Sequence, residues 1–127
     1  MTDFSATPPQ VPRPGQRCFL VSCLDGPDAV ELRQKHLVDH LQYAETHWTS
    51  YITAGPLSEP GSPAPIGSMF LVLAETLDEA RALMHGDPYV SCGMYALIEF
   101  KEFTNAIGQW LGGKIWGTPG APASRAT

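Results

Sequence analysis

Apolar positions along the chain change their spacing several times, and the changes divide the middle of the sequence into six elements. Cys18-Phe19-Leu20-Val21-Ser22-Cys23-Leu24 is a short apolar run rich in strand formers, and Asp25-Gly26-Pro27-Asp28 ends it with turn residues. Asp28 is placed to cap a helix, with Glu31 as capping-box partner, and no Pro or Gly interrupts the chain before about Trp48. Val30, Leu37, Leu41, Ala44 and Trp48 recur at helical spacing and predict the buried stripe of that helix. Tyr51-Ile52-Thr53-Ala54 reads as a second strand, ended by Gly55-Pro56. A loop with Pro60, Gly61, Pro63 and Pro65 leads to a third, strongly apolar strand over 68–74. Thr76, with Glu79 behind it, caps a second helix whose apolar face is Ala80, Leu83 and Met84, and Asp87-Pro88 stops it. Tyr95 to Phe103 alternates as a fourth strand.

The order strand, helix, strand, strand, helix, strand, with right-handed crossovers, gives a ferredoxin-like α+β fold: a four-stranded antiparallel sheet with two helices on one face. The other sheet face then lacks cover, which predicts a homodimer built sheet on sheet. Residues 1–16 and the end of the chain are rich in Pro and small polar residues and read as flexible tails around a domain at 17–104. Residues 105–127 form an extension carrying Trp110 and Trp116, which reads either as a lid over the cleft or partner, or as a packing segment. Pro9-Gln10-Val11-Pro12 fits a loose PxxP pattern, although Pro-rich leaders are usually just unfolded.

Composition narrows the function. At 127 residues the chain suits one domain, and 43% apolar content is ordinary for a folded one. A formal charge of -5 argues against nucleic acid as a partner, and no run of about 18 apolar residues predicts a membrane span. Cys18, Cys23 and Cys92 are odd in number, without metal-ligand spacing and without an export signal before them. They read as reduced thiols of a cytoplasmic protein.

The pieces Glu31-Leu32-Arg33, His40-Leu41-Gln42-Tyr43, Ala54-Gly55-Pro56-Leu57, Gly67-Ser68, Glu79-Ala80-Arg81 and Asp87-Pro88-Tyr89 are each short. In this order and spacing the chain resembles the YciI-like (YCII-related) family over roughly Phe19 to Phe103. The resemblance implies a dimeric ferredoxin-like α+β barrel, like that of muconolactone isomerase, and a site whose His and Asp fall on His40 and Asp87. A similar enzyme is a dehydrochlorinase acting on a chlorinated hydroxyhydroquinone. An Arg often found shortly before the family His is replaced here by Leu37, and His36 is an extra imidazole, so the charge preferred in a substrate stays open.

His36, His40 and His47 project within about 40° of one another on a regular helix, with Arg33 between them and the apolar stripe. They form either a solvated polar face or a border that lines a cleft. Asp87 caps a turn, sits on the surface as a solvated acid, or holds one ring nitrogen of His40 so that the other is free to move a proton. Arg33 is placed to hold an anionic or enolate oxygen, or to pair with Asp28 or Glu31. Ser68 reads as a hydrogen-bond donor rather than a nucleophile, since no Gly-x-Ser-x-Gly surrounds it. Tyr89 and Tyr95 wall a pocket or fill the core, and His36 is a further candidate for substrate contact. His at i and i+4 suits zinc, but no third ligand accompanies the pair, so neither metal nor cofactor is expected. The reading is a cofactor-independent lyase or isomerase acting on a small aromatic or lactone-like metabolite. The alternatives are a non-catalytic binding or assembly module, or a redox-sensing thiol protein using Cys92.

Overall fold

The computed structural model describes residues 17–109 and 112–115. The Pro-rich leader, Trp110, Trp116 and the C-terminal tail lie outside the described residues. In chain order the elements are β1 (Cys18–Asp25), α1 (Ala29–Lys35), α2 (Leu37–His47), β2 (Tyr51–Ser58), β3 (Pro65–Leu73), α3 (Leu77–His85), α4 (Pro88–Ser91) and β4 (Tyr95–Phe103). A small hairpin, β5 (Ile107–Gly108) and β6 (Gly113–Lys114), follows. The main sheet has the order β2-β3-β1-β4 with every pairing antiparallel, which is the expected α+β arrangement.

Side chains alternate across the sheet. Phe19, Val21 and Cys23 of β1 and Phe70 and Val72 of β3 turn to the helices and pack with Ala80 and Met84 of α3 and with Tyr89, Met94 and Tyr95. Leu24 and Leu97, paired across β1 and β4, belong to the opposite face and are about half exposed, at 53% and 50%. Leu71, also alternate to the core positions, is buried and shares a hollow with Ile52, Phe103 and Ile107 from the start of the extension.

Several boundaries differ from the sequence reading. The first helix is two helices broken at His36, whose backbone lies at φ -106 and ψ 11. The bonds His36 N–H to Leu32 O and His40 N–H to His36 O link the two across the break. Asp28 makes no side-chain cap bond at the head of α1. The predicted core stripe is not buried: Val30, Leu37, Leu41 and Trp48 are all exposed, while Ala29 is buried and Leu32 packs against the core. β2 continues through Gly55-Pro56 to Ser58, and β3 starts at Pro65. At the second helix Thr76 Oγ1 accepts from Glu79 N–H as expected, whereas Glu79 accepts from Glu75 N–H rather than closing on Thr76. No helix among the described residues is long and apolar enough to cross a membrane.

Candidate active site

The stop signal Asp87-Pro88 builds the centre of the site. Pro88 disfavours helical backbone at the residue before it, so Asp87 is extended (φ -75, ψ 125) and Pro88 opens the short helix α4. The Asp87 carboxylate caps that helix by accepting from Tyr89 N–H at 2.9 Å, and it is fully buried. Both of its oxygens also face His40 Nδ1, at 2.8 and 2.9 Å. Capping and histidine binding, which compete as readings of the sequence, are done by one group. The solvated-acid reading is overturned.

His40 gets there because α2 lies close on the end of α3. Tyr43 O–H donates to Leu83 O at 2.6 Å, and a Cβ on Gly86 would run into the Tyr43 ring. The imidazole stacks flat on Tyr89, with centroids 3.8 Å apart and planes 7° from parallel. With Nδ1–H given to the carboxylate, Nε2 is the nitrogen left to exchange a proton.

A second cluster lies beside the first. Arg33 clamps Asp25 through Nε and Nη2 at 2.9 and 2.8 Å, and Nη2 also donates to Gly67 O at 3.0 Å and Ser68 Oγ at 3.1 Å. Its partner is therefore Asp25, not Asp28 or Glu31, and its charge is already met by a carboxylate. The guanidinium also lies over the rings of Tyr89 and Tyr95. Tyr95 O–H reaches Ser68 Oγ at 2.8 Å, and Tyr89 O–H donates to Arg33 O at 3.1 Å. Gly67 has to be glycine for this fit, because a Cβ there would collide with the carbonyl oxygen of Cys23.

Both clusters open on one cavity of about 450 Å³, a size that suits a small metabolite. Arg33, His40, Ser68 and Tyr89 line it, as do Leu37, Leu41 and Ala44, the stripe the sequence assigns to the core. Tyr51, Ala54, Pro56 and Phe70 complete the opposite side. His36 is not among the lining residues, and His47 instead packs on Tyr43 at 4.2 Å. Among the described residues no group of three or more His, Cys, Asp or Glu is placed to hold a metal ion.

Sequence reasoning missed Asp25, which looks like an ordinary turn residue, and Tyr51, which looks like a strand former. The Tyr51 hydroxyl is buried with no hydrogen-bond partner among the described residues. An unsatisfied buried hydroxyl costs about 1–3 kcal/mol, so Tyr51→Phe should raise stability by about 1 kcal/mol in urea denaturation.

Burial, with the charges of Asp87 and Asp25 adding to it, pushes the Cys23 thiol from its usual 9.0 up to about 12. Burial likewise raises Tyr51 and Tyr95 above the ordinary tyrosine value of 10.0. Each of these groups keeps its proton longer in the folded chain than in the unfolded one. The unfolded chain therefore ionises first, and folding stability should fall as pH climbs past 9 towards 12. Denaturation midpoints compared below and above pH 9 check this, and Cys23→Ala should flatten part of the slope.

Among known proteins, the chain matches protein YciI of Escherichia coli and of Shigella flexneri at 35% identity over 57 residues, or 41% of this chain and 58% of theirs. It thus spans less than two thirds of these curated relatives. The solved 5-chloro-2-hydroxyhydroquinone dehydrochlorinase of Burkholderia phenoliruptrix AC1100, in complex with 2,5-dihydroxybenzoquinone, superposes with a TM-score of 0.64 at 24% identity. The overlap covers 72% of this chain and 96% of that one, and it is a likeness of fold. The family model for the YCII-related domain matches residues 18–104, and the chain belongs to that family.

Proposed function

We propose that the cavity is the active site of a cofactor-independent lyase or isomerase acting on a small cyclic metabolite. The observation that carries this reading is His40, its Nδ1 braced by both oxygens of a buried carboxylate and its side chain lining an apolar hollow. Nε2 takes a proton from a carbon next to a carbonyl, and the C–H electron pair becomes a new double bond. In an elimination, a leaving group on the neighbouring carbon departs with its own electron pair. In an isomerisation, the C=O pair shifts onto the oxygen as the C–H pair forms the double bond, and it re-forms the carbonyl as the same proton returns from His40 to another carbon. Asp87 orients the ring and stabilises the imidazolium in between. Ser68 and Tyr89 hold the substrate, and Arg33 acts from behind Ser68. The solved structure of like fold, a dehydrochlorinase in complex with 2,5-dihydroxybenzoquinone, supports chemistry of this class on such a scaffold. Exposed Leu24 and Leu97, on the sheet face turned away from the helices, support a homodimer through that face.

The test is a panel of lactones, cyclic ketones and chlorinated hydroquinones in deuterated water, followed by proton NMR and chloride release. Proton exchange or elimination on some member supports the enzyme. Ligand-induced stabilisation with no exchange on any member would leave the binding-module reading in its place.

A further inference from the structure

Ser68 can do only one thing for a ligand, because its neighbours have settled the direction of its hydrogen bonds. The residue is 4% exposed and lines the cavity. Its oxygen receives Arg33 Nη2 at 3.1 Å and Tyr95 O–H at 2.8 Å. A guanidinium has only donors. The Tyr95 proton has no other acceptor among the described residues, so reversing that bond would strand it in the core. Nη2 shares its two protons among Asp25 Oδ1, Gly67 O and Ser68 Oγ, so the serine oxygen faces two donors and neither of them can take its own proton. No carbonyl or carboxylate among the described residues takes that proton.

We infer that Ser68 is a fixed one-way donor to an acceptor oxygen of the ligand, and that the ligand class is a neutral cyclic carbonyl compound. Two observations set the class. Asp25 already balances Arg33, so the Ser68 side of the cavity offers a donor but no spare positive charge. At the other end His40, the one further lining residue able to carry positive charge, is held from behind by the buried Asp87 carboxylate, so no unpaired cation waits there for an anionic ligand either. Leu37, Leu41 and Phe70 supply an apolar wall for a ring. Arg33 and Tyr95 are positioning residues, since they act through the serine oxygen and their donation strengthens its own. The inference rests on the proposed reading of His40 in one respect: as the proton leaves, the C=O electron pair moves onto the oxygen that Ser68 holds, and the donor matters most then.

The experiment uses the full chain with cyclohexanone labelled at the carbonyl carbon, benzoate as the anionic probe, and the infrared carbonyl stretch as readout. Bound cyclohexanone should show a lowered stretch relative to the ketone in an apolar solvent, and benzoate should bind more weakly. Ser68→Ala should abolish the lowering and weaken binding about five- to tenfold. Tyr95→Phe frees one lone pair and should shrink the lowering without removing it, a change that mere loss of packing would not make. Ser68→Thr, which keeps the hydroxyl, should preserve the lowering and serves if the alanine variant does not fold. An unchanged stretch in Ser68→Ala, tighter binding of benzoate, or no binding of cyclohexanone at any soluble concentration overturns the inference. His40→Ala should leave the stretch lowered, and an unsubstituted chain that shows the lowered stretch but exchanges no proton on any panel member would count against the proton-transfer reading alone.

Discussion

His40→Ala should lower turnover by a factor of about 10² to 10⁴, the range that a positioned proton-transfer group supplies. KM should move far less, because the ring walls and Ser68 remain. Asp87→Asn should cost a comparable factor by a different route. An amide can turn its NH₂ towards Nδ1, which forces the ring proton onto Nε2 and removes the base. Added imidazole offers a way to tell the two losses apart. It can enter the space left in His40→Ala and restore part of the rate, whereas in Asp87→Asn that space is still filled. A His40→Ala protein that keeps its full rate on a confirmed substrate would end the catalytic proposal.

The second large effect is on folding. Asp87→Ala removes the cap of α4 and leaves two buried donors, Tyr89 N–H and the His40 ring N–H, without their acceptor. A lost cap costs about 0.5–2 kcal/mol and an orphaned buried donor about 1–3 kcal/mol. A total loss of about 2–4 kcal/mol is expected, a large share of the roughly 5–15 kcal/mol that holds a domain together. Asp87→Asn keeps an oxygen for the cap and should lose about 1 kcal/mol. Urea denaturation of the two variants therefore separates the carboxylate's structural work from its chemical work: both lose activity, but only alanine loses most of its margin. Equal stabilities would show that the cap contributes little.

Much of the fold was legible because strand and helix periods differ and turn residues mark the changes. Tyr95 to Phe103 forms β4 over the predicted span, and Thr76 caps α3 as its sequence implies. The meeting of His40 with Asp87 came from the family resemblance, since residues 47 positions apart carry no local sign of contact. What failed was the facing of the first helix. A helical pattern says which side is apolar but not which side points inward, and here the inward side carries Arg33, His40 and Tyr43 along with Ala29 and Leu32. The apolar side carries Leu37, Leu41 and Ala44 along the cavity wall. A site that needs polar groups inside sets them among the apolar ones. The break at His36 had no Pro or Gly to announce it. Asp25 was unreadable for a third reason: its partner comes from the next helix, so only tertiary packing distinguishes it from any acid in a turn.

Because Asp87 holds a helix end as well as an imidazole, evolution has two separate reasons to retain it. A descendant that abandoned its substrate would keep the acid for the sake of folding and would be free to lose the histidine. Within sequences of this kind, an Asp-Pro-Tyr turn is thus poor testimony to a working enzyme, and the identity of the residue aligned with His40 is the better witness.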